Sequence, residues 1–358
     1  MKVKKKIIYL VSTKAITINL FFKDFIEKQN KKFEIRIICS DPSKLKLNKQ
    51  LEKIKINFPT KISDFINFSK LLKLFCELSK IKSKLKNTTI LLNTPIASHF
   101  FRLYFFFNKL NFIYFVHGFR FTPNGKWYKN FLFKNIERIL SRTTKKFITI
   151  NSFDYNFVKK KLKGKCIKIN GVGIKTQKKN NFKINCNKLK ILVVSAYKKE
   201  KGYEDVLKIA DFFNKKNLDI SFTCYGYGDY KIYNNYIKKK KLKNIHLNKF
   251  NINLPKKLKN YSLLLHPSFR EGLPVSLMQC LSNGIPVIAR DIRGCNDLIK
   301  NNINGYLYKN NSDAIKKIIK LYNNKIKHLE MSKNAFKLIN YKYSNKYINK
   351  KIFSFINE

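Results

Sequence analysis

The feature that most constrains the fold is an alternation of short apolar runs with helical patterns. Runs such as 7–11, 33–39 and 112–116 are nearly continuous in apolar residues, as parallel strands covered on both faces are. The clearest helical segment between them has a lysine-rich face opposite an apolar face made of Leu71, Leu74, Phe75, Leu78, Ile81 and Leu85. Strands that alternate with helices predict parallel βαβ units and a doubly wound sheet.

The alternation occurs twice along the chain. The first round predicts strands at 7–11, 33–39, 89–92, 112–116, 147–150 and 166–169, and the second at 190–194, 220–225, 263–266, 286–289 and 305–308. Between the rounds, a glycine-containing stretch and a polar run predict a hinge over residues 171–183. We therefore predict an α/β protein with two Rossmann-like domains, residues 1–174 and 175–343, followed by a terminal helix over 344–358.

The formal net charge of +55 is unusual, but only eight of the 76 basic residues are arginine. Proteins that read nucleic acids favour arginine, because its planar guanidinium pairs with bases and phosphates. Here lysine is abundant together with asparagine, isoleucine, phenylalanine and tyrosine, which have AT-rich codons. This composition favours a genome bias over a specific nucleic-acid partner. A basic nucleic-acid-binding protein on the same fold stays an alternative, and so positive a surface also attracts anionic lipid.

Neither a secretory signal nor a membrane-spanning segment is predicted. The apolar run at 7–11 is too short for a signal peptide, and no run approaches the ~18 residues of a membrane helix. We expect a cytoplasmic protein that is soluble or peripherally bound. The seven cysteines are scattered without a Cys-x-x-Cys pair and the five histidines are dispersed, so no disulfide framework, metal site or bound cofactor is predicted.

The most informative stretch is a strand, a tight loop and a helix over residues 263–284. Ligands bind beyond the carboxyl ends of strands in open α/β sheets, and a helix N-terminus there offers unpaired N–H groups to a phosphate. Pro274 suits the first helical turn, where its missing N–H costs nothing. Glu271 lies at the mouth of this loop and can accept hydrogen bonds from sugar hydroxyls. Its alternative role is that of a helix-capping carboxylate.

The sequence of this stretch closely resembles the donor-site signature of glycosyltransferase family 4, a retaining family with the two-domain GT-B fold. Its form is similar to the branch that builds capsules, exopolysaccharides and O-antigens. The signature segments are Pro267-Ser268-x-Arg270-Glu271-Gly272-Leu273-Pro274, Gly284-x-Pro286-Val287-Ile288-Ala289 and Asp291-Ile292-Arg293-Gly294. Further similar segments are His117-Gly118-Phe119-Arg120-Phe121, Gly171-Val172-Gly173-Ile174, Glu200-Lys201-Gly202 and Tyr225-Gly226-Tyr227-Gly228-Asp229.

The resemblance implies roles for the matched positions. Lys201 would neutralise the donor diphosphate, and Glu271 would hold hydroxyls of the donor sugar. The backbone of Gly272, Leu273 and Pro274 would close on that sugar. Chemistry of this type needs no protein-bound metal or cofactor, since the nucleotide sugar is a co-substrate.

Other matched positions would complete the site, and two of them depart from the family. His117 would face the donor sugar from across a cleft between the domains. Gln279 stands where the family has a glutamate that binds the nucleotide ribose. Ala196 stands where a charged residue usually precedes the family lysine, and Lys198 is a candidate to replace it in donor binding.

These observations predict a hexosyltransferase of surface polysaccharide biosynthesis. It would move a hexose or N-acetylhexosamine from a UDP-linked nucleotide sugar to a lipid-diphosphate-linked saccharide at the inner face of the membrane. The anionic membrane surface would be a further partner, and the terminal helix would cross back onto the N-terminal domain. The departures at Gln279 and Ala196 leave an inactive glycosyltransferase-like protein as an alternative.

Overall fold

The computed structural model describes residues 5–29, 32–47, 51–177 and 188–358, which divide into two compact units. The N-terminal unit comprises Met1–Gly173 together with Asn345–Glu358, and the C-terminal unit comprises Ile174–Ser344. Residues 178–183 of the predicted hinge lie outside the described residues.

The N-terminal unit is built on a seven-stranded parallel sheet in the order β3-β2-β1-β4-β5-β6-β7. Its strands are β1 (Lys6–Val11), β2 (Phe33–Cys39), β3 (Lys53–Lys55), β4 (Thr89–Leu92), β5 (Asn111–Val116), β6 (Thr144–Thr149) and β7 (Lys165–Lys168). In register, Leu10 lies opposite Ile37 on one side and Leu91 on the other. All three are buried on one face of the sheet, and the four consecutive residues of β4 are all buried, so the central sheet is covered on both faces.

The helices of this unit are α1 (Ala15–Phe21), α2 (Lys23–Gln29), α3 (Ile62–Ile66), α4 (Phe68–Leu85), α5 (Pro95–Tyr104), α6 (Trp127–Leu140) and α7 (Ser152–Lys161). The predicted apolar face of α4 is confirmed, because Leu74, Leu78, Ile81 and Leu85 are its buried residues. The side chain of Asn67 caps the helix by accepting a hydrogen bond from the backbone N–H of Lys70.

The C-terminal unit has a six-stranded parallel sheet in the order β10-β9-β8-β11-β12-β13. Its strands are β8 (Leu189–Val194), β9 (Ile220–Gly226), β10 (Ile245–Lys249), β11 (Leu263–His266), β12 (Val287–Arg290) and β13 (Gly305–Tyr308). Its helices are α8 (Tyr203–Lys215), α9 (Lys231–Lys239), α10 (Leu254–Lys257), α11 (Val275–Ser282), α12 (Cys295–Leu298), α13 (Asn311–Asn323) and α14 (Lys325–Lys342). The prediction of two doubly wound parallel sheets is confirmed.

The last helix, α15 (Asn345–Asn357), packs on the N-terminal unit. Asn349 donates a hydrogen bond to Asp24 at 2.6 Å, and the rings of Phe33 and Phe353 lie 5.3 Å apart. Lys146 donates to the backbone carbonyl of Phe355 at 2.8 Å. The apolar stripe of this amphipathic helix is thereby buried. The acceptor-binding and donor-binding roles of the two domains stay predictions.

Strands β3 and β10 were not predicted, and the bounds of the other strands differ from the predicted ones by a few residues. The strand predicted at 147–150 is β6, which begins at Thr144. Lys145 is exposed and Lys146 half-buried at the rim of the sheet, so an apolar pattern does not detect the start of the strand. Among the described residues, no helix combines the length and the apolar character that a membrane crossing requires.

Candidate functional site

The loop after β11 carries the predicted site to the carboxyl edge of the C-terminal sheet. Strand β11 is fully buried and ends at His266, and α11 begins at Val275. The prediction that Pro274 lies in the first helical turn is wrong by one residue, because its ψ of 120° is extended and makes it the N-cap. The first intrahelical hydrogen bond runs from Met278 to the carbonyl of Pro274. The N–H groups of residues 275–277 therefore form the positive end of the helix.

A close approach between two loops brings a lysine to this edge. Gly202 has a φ of 74°, and a Cβ there would lie 2.3 Å from the carbonyl oxygen of Pro267. The backbone N–H of Phe269 donates to the carbonyl of Glu200 at 3.0 Å. Only glycine permits both the left-handed backbone and the contact. The turn that contains Lys201 is thereby held against the loop after β11.

A second glycine holds the other side of the loop. Gly294 has a φ of 82°, and a Cβ there would lie 2.1 Å from the carbonyl oxygen of Gly272. Arg293 donates from Nε to the carbonyl of Glu271 at 3.0 Å. Leu273 is buried beneath this contact. The contacts of Gly294 and Arg293 therefore hold the backbone of the predicted sugar-binding segment, Gly272 to Pro274, in place.

The charged centre of the site is an ion pair between Lys201 and Glu271. Nζ of Lys201 lies 2.6 Å from Oε1 of Glu271, and it also donates to the carbonyl of Arg270 at 3.3 Å and to Oγ of Ser268 at 3.4 Å. Burial raises the pKa of Glu271, but His266 and Lys201 outweigh burial and lower it to about 2. The carboxylate is thus anionic at neutral pH and able to accept hydrogen bonds.

His266 is a residue of this site that sequence reasoning missed. It is only 2% exposed, and its Nε2 lies 3.3 Å from Oε1 of Glu271. Neither Nδ1 nor Nε2 makes a hydrogen bond of good geometry with the described residues, so the contact with Glu271 is one of proximity, and a proton on Nε2 is the arrangement that suits the carboxylate. The sequence signal that could have identified it is its position, since it is the last residue of a buried strand and directly precedes the loop.

Two other predicted donor-binding residues, Gln279 and Lys198, make no hydrogen bond or ion pair with Lys201 or Glu271 in the described part of the chain. Gln279 is exposed on α11, and its backbone carbonyl accepts a hydrogen bond from Ser282. Lys198 is exposed at the start of the turn that contains Lys201. Their roles toward a donor stay predictions.

An exposed aromatic pair at this edge was also missed by sequence reasoning. Tyr227 and Phe250 directly follow β9 and β10, and their rings stack with centroids 4.0 Å apart. Their exposed fractions of 57% and 44% leave aromatic surface in solvent. Such a surface is able to stack on a planar base.

His117 belongs to the N-terminal unit, directly after β5. Its ring stacks on that of Phe21 at 4.8 Å, and Nε2 is hydrogen-bonded to Oδ1 of Asn93. Burial lowers the pKa of His117 to about 3, so the imidazole is neutral at physiological pH. Because Oδ1 is an acceptor, Nε2 carries the proton and Nδ1 is left as an acceptor. The predicted role of His117 toward a donor sugar stays a prediction.

The described residues contain no group of three or more histidine, cysteine and acidic side chains placed to hold a metal ion. The chain has two parallel sheets, each flanked by helices, and its last helix belongs to the first unit. This arrangement defines a GT-B fold. A solved structure of sucrose-phosphate synthase from Thermosynechococcus elongatus has a similar fold. The match covers 99% of this chain and 98% of that one, with a TM-score of 0.81 at 11% sequence identity.

Residues 174–338 match the family described as Glycosyl transferases group 1, and this part of the chain is a glycosyl transferases group 1 domain. A poly(ribitol-phosphate) alpha-N-acetylglucosaminyltransferase of Staphylococcus aureus (strain COL) is 31% identical over 157 residues, 42% of this chain. A UDP-Gal:alpha-D-GlcNAc-diphosphoundecaprenol alpha-1,3-galactosyltransferase of Escherichia coli is 33% identical over 84 residues, 23% of this chain. The matched segments span 32% and 21% of these two relatives' own lengths.

Proposed function

We propose that this protein is a retaining glycosyltransferase that moves a hexose or N-acetylhexosamine from a UDP-linked donor to a lipid-diphosphate-linked saccharide. The observation that carries the proposal is the pairing of Lys201 with the partly buried carboxylate of Glu271, in the loop that leads into α11. This cluster lies at the carboxyl edge of a parallel sheet, where α/β proteins bind their ligands. It also lies within the glycosyl transferases group 1 domain.

Positive charge at the site suits the diphosphate of a nucleotide sugar. Lys201 supplies an ammonium group, and residues 275–277 supply three backbone N–H groups at a helix N-terminus. We assign neutralisation of the leaving diphosphate to these groups, without a protein-bound metal. Lys198 is a second, more exposed cation on the same turn.

The carboxylate of Glu271 suits the sugar. It is anionic because its pKa is about 2, and its contacts with Lys201 and His266 are both made by Oε1. In the reaction, the bond from the anomeric carbon to the diphosphate breaks, and a bond to the acceptor oxygen forms on the same face. The proton of the acceptor hydroxyl passes to the leaving diphosphate. Glu271 orients the sugar hydroxyls during this exchange.

The names of the relatives support the choice of substrates. The Escherichia coli relative uses a UDP-sugar and a diphosphoundecaprenol-linked acceptor, and the Staphylococcus aureus relative transfers N-acetylglucosamine. A screen of UDP-, GDP- and ADP-sugars for thermal stabilisation, followed by product analysis, tests the proposal. We expect a UDP-hexose or UDP-N-acetylhexosamine to raise Tm and to give a product of unchanged anomeric configuration. Stabilisation by no nucleotide sugar would contradict it.

We further propose that the enzyme works at the inner face of the membrane, where a lipid-linked acceptor would lie, and binds there reversibly through its N-terminal domain. Helix α4 exposes Lys70, Lys73, Lys80, Lys82 and Lys84. Each lysine near an anionic surface contributes about 1 kcal/mol, and salt weakens this attraction. We expect flotation with anionic liposomes at low salt, little flotation with neutral ones, and loss of the difference at high salt. Equal flotation with both at low salt would argue against the proposal.

A substitution of Gln279 tests whether glutamine in place of the family glutamate impairs the enzyme. Ribose hydroxyls are neutral, so Gln279→Glu exchanges a neutral hydrogen bond for a charge-assisted one. We expect nearly unchanged turnover and a shift in donor affinity of at most ~1–2 kcal/mol, measured as kcat and donor KM. A gain in turnover by orders of magnitude would show instead that the natural protein is an inactive relative.

Substitutions of His266 test whether this residue helps to position the carboxylate of Glu271. His266→Leu keeps the buried volume but removes the donor near Glu271, whereas His266→Gln retains an N–H donor. We expect the leucine variant to lower kcat about tenfold with UDP affinity unchanged, and the glutamine variant to recover part of the loss. Equal kcat for the two variants would assign His266 to packing alone.

A further inference from the structure

Helix α6 presents its apolar side chains outward. Glu137, the one acidic residue of this helix, is only 3% exposed and faces the interior. Its Oε2 lies 2.9 Å from Nη2 of the buried Arg102, and its Oε1 lies 2.8 Å from Nε2 of His99. Breaking a buried ion pair leaves an uncompensated charge, so this pair holds the helix in one rotational setting.

That setting puts one arc of large apolar side chains in solvent. At about 100° per residue, the arc opposite Glu137 is about 140° wide. Its exposed apolar members are Trp127 (79%), Tyr128 (47%), Phe131 (65%), Leu132 (55%) and Ile139 (53%). Large apolar side chains exposed in this number on one side of a helix mark a contact site rather than an ordinary solvated helix face.

The charges around the arc fit an anionic bilayer. Arg138 is exposed on the arc, Lys129 is exposed beside it and Lys126 is exposed at the N-cap of the helix, whereas the carboxylate of Glu137 is buried. Tryptophan and tyrosine prefer the boundary between lipid tails and headgroups, and lysine prefers anionic headgroups. A second copy of the chain fits poorly, because a symmetric contact would bring the cationic side chains of two proteins of net charge +55 together.

We propose that the outward face of α6 inserts into the headgroup boundary of an anionic bilayer, with the helix lying along the membrane surface. The inference rests on the proposed function in one respect, namely the membrane location of the acceptor. It adds an apolar anchor to the electrostatic attraction of α4. Binding should therefore weaken with salt but leave a residual part at high salt.

The sequence contains a reporter for this contact, because Trp127 is the sole tryptophan of the chain. We expect its emission to shift to the blue and to be quenched by brominated lipid when vesicles of phosphatidylcholine and phosphatidylglycerol are added. An emission spectrum that stays unchanged while the protein floats with these vesicles would overturn the proposal. A blue shift that follows protein concentration without lipid would also overturn it, in favour of self-association.

Matched variants separate the anchor from general hydrophobicity. Trp127→Ser with Phe131→Ser removes two members of the arc, whereas Ile232→Ser with Ile326→Ser removes two side chains that are 79% and 84% exposed in the C-terminal unit. We expect the first pair to lower the vesicle partition coefficient at least about tenfold, and the second to leave it unchanged. Equal losses in both would contradict the inference.

Donor binding distinguishes a failure of this inference from a failure of the proposed function. The α6 variants should bind nucleotide sugar as the wild type does, because the donor residues lie in the C-terminal unit. Sugar transfer with no insertion of Trp127 would refute the anchor and leave the function intact. Insertion with no nucleotide-sugar binding would refute the function and leave the anchor intact.

Discussion

Glu271→Ala lowers the rate of sugar transfer by orders of magnitude if the proposed site is correct. The substitution removes the anionic group that meets the reacting sugar, and loss of one such contact lowers kcat by about 10²–10³. Glu271→Gln keeps the shape of the side chain but loses its charge, so we expect an intermediate loss. Initial rates with the donor found by thermal screening provide the measurement.

Loss of stability must be separated from loss of chemistry in these variants. Removing the carboxylate leaves Lys201 without its ion-pair partner, so both variants need a Tm measurement. Glu204→Gln is a matched control, because it removes an exposed carboxylate from the first turn of α8. A folded Glu271→Ala variant with wild-type turnover would refute the role assigned to Glu271.

Lys201→Ala weakens nucleotide-sugar binding more than Lys198→Ala does. Both variants lose one positive charge from the same turn, so their effect on the overall field of the protein is matched. The side chain of Lys201 is partly buried, with 23% of it exposed. At a partly buried position, a charge-assisted hydrogen bond to phosphate contributes ~1.5–3 kcal/mol to binding. We expect Kd to rise about 10- to 150-fold for Lys201→Ala.

Titration calorimetry with UDP and with the intact UDP-sugar measures this comparison. A similar loss for both ligands would assign Lys201 to the diphosphate, and a loss for the sugar nucleotide alone would assign it to orienting Glu271. If Lys198→Ala proved the more damaging change, the match of this turn to the family motif would be wrong.

The fold class was readable from the chain because parallel strands covered by helices must be apolar on both faces. Strands such as β4 and β11 are fully buried, and their patterns allow no other placement. The loop from Pro267 to Pro274 was also readable, because its residues are contiguous and resemble the family signature. Strand ends were less accurate, as at Thr144, because polar residues at a sheet rim carry no apolar signal.

Contacts between residues far apart in the chain depended on three-dimensional packing. The ion pair of Lys201 with Glu271 joins positions 70 residues apart, and it exists because Gly202 lets two loops meet. His266 became visible as a site residue only through its distance to Glu271. The rotational setting of α6 likewise follows from Glu137 pairing with Arg102, 35 residues away, rather than from its own apolar pattern. Local patterns report which elements form, because burial and backbone geometry act along neighbouring residues, whereas the pairing of distant charges depends on how those elements pack.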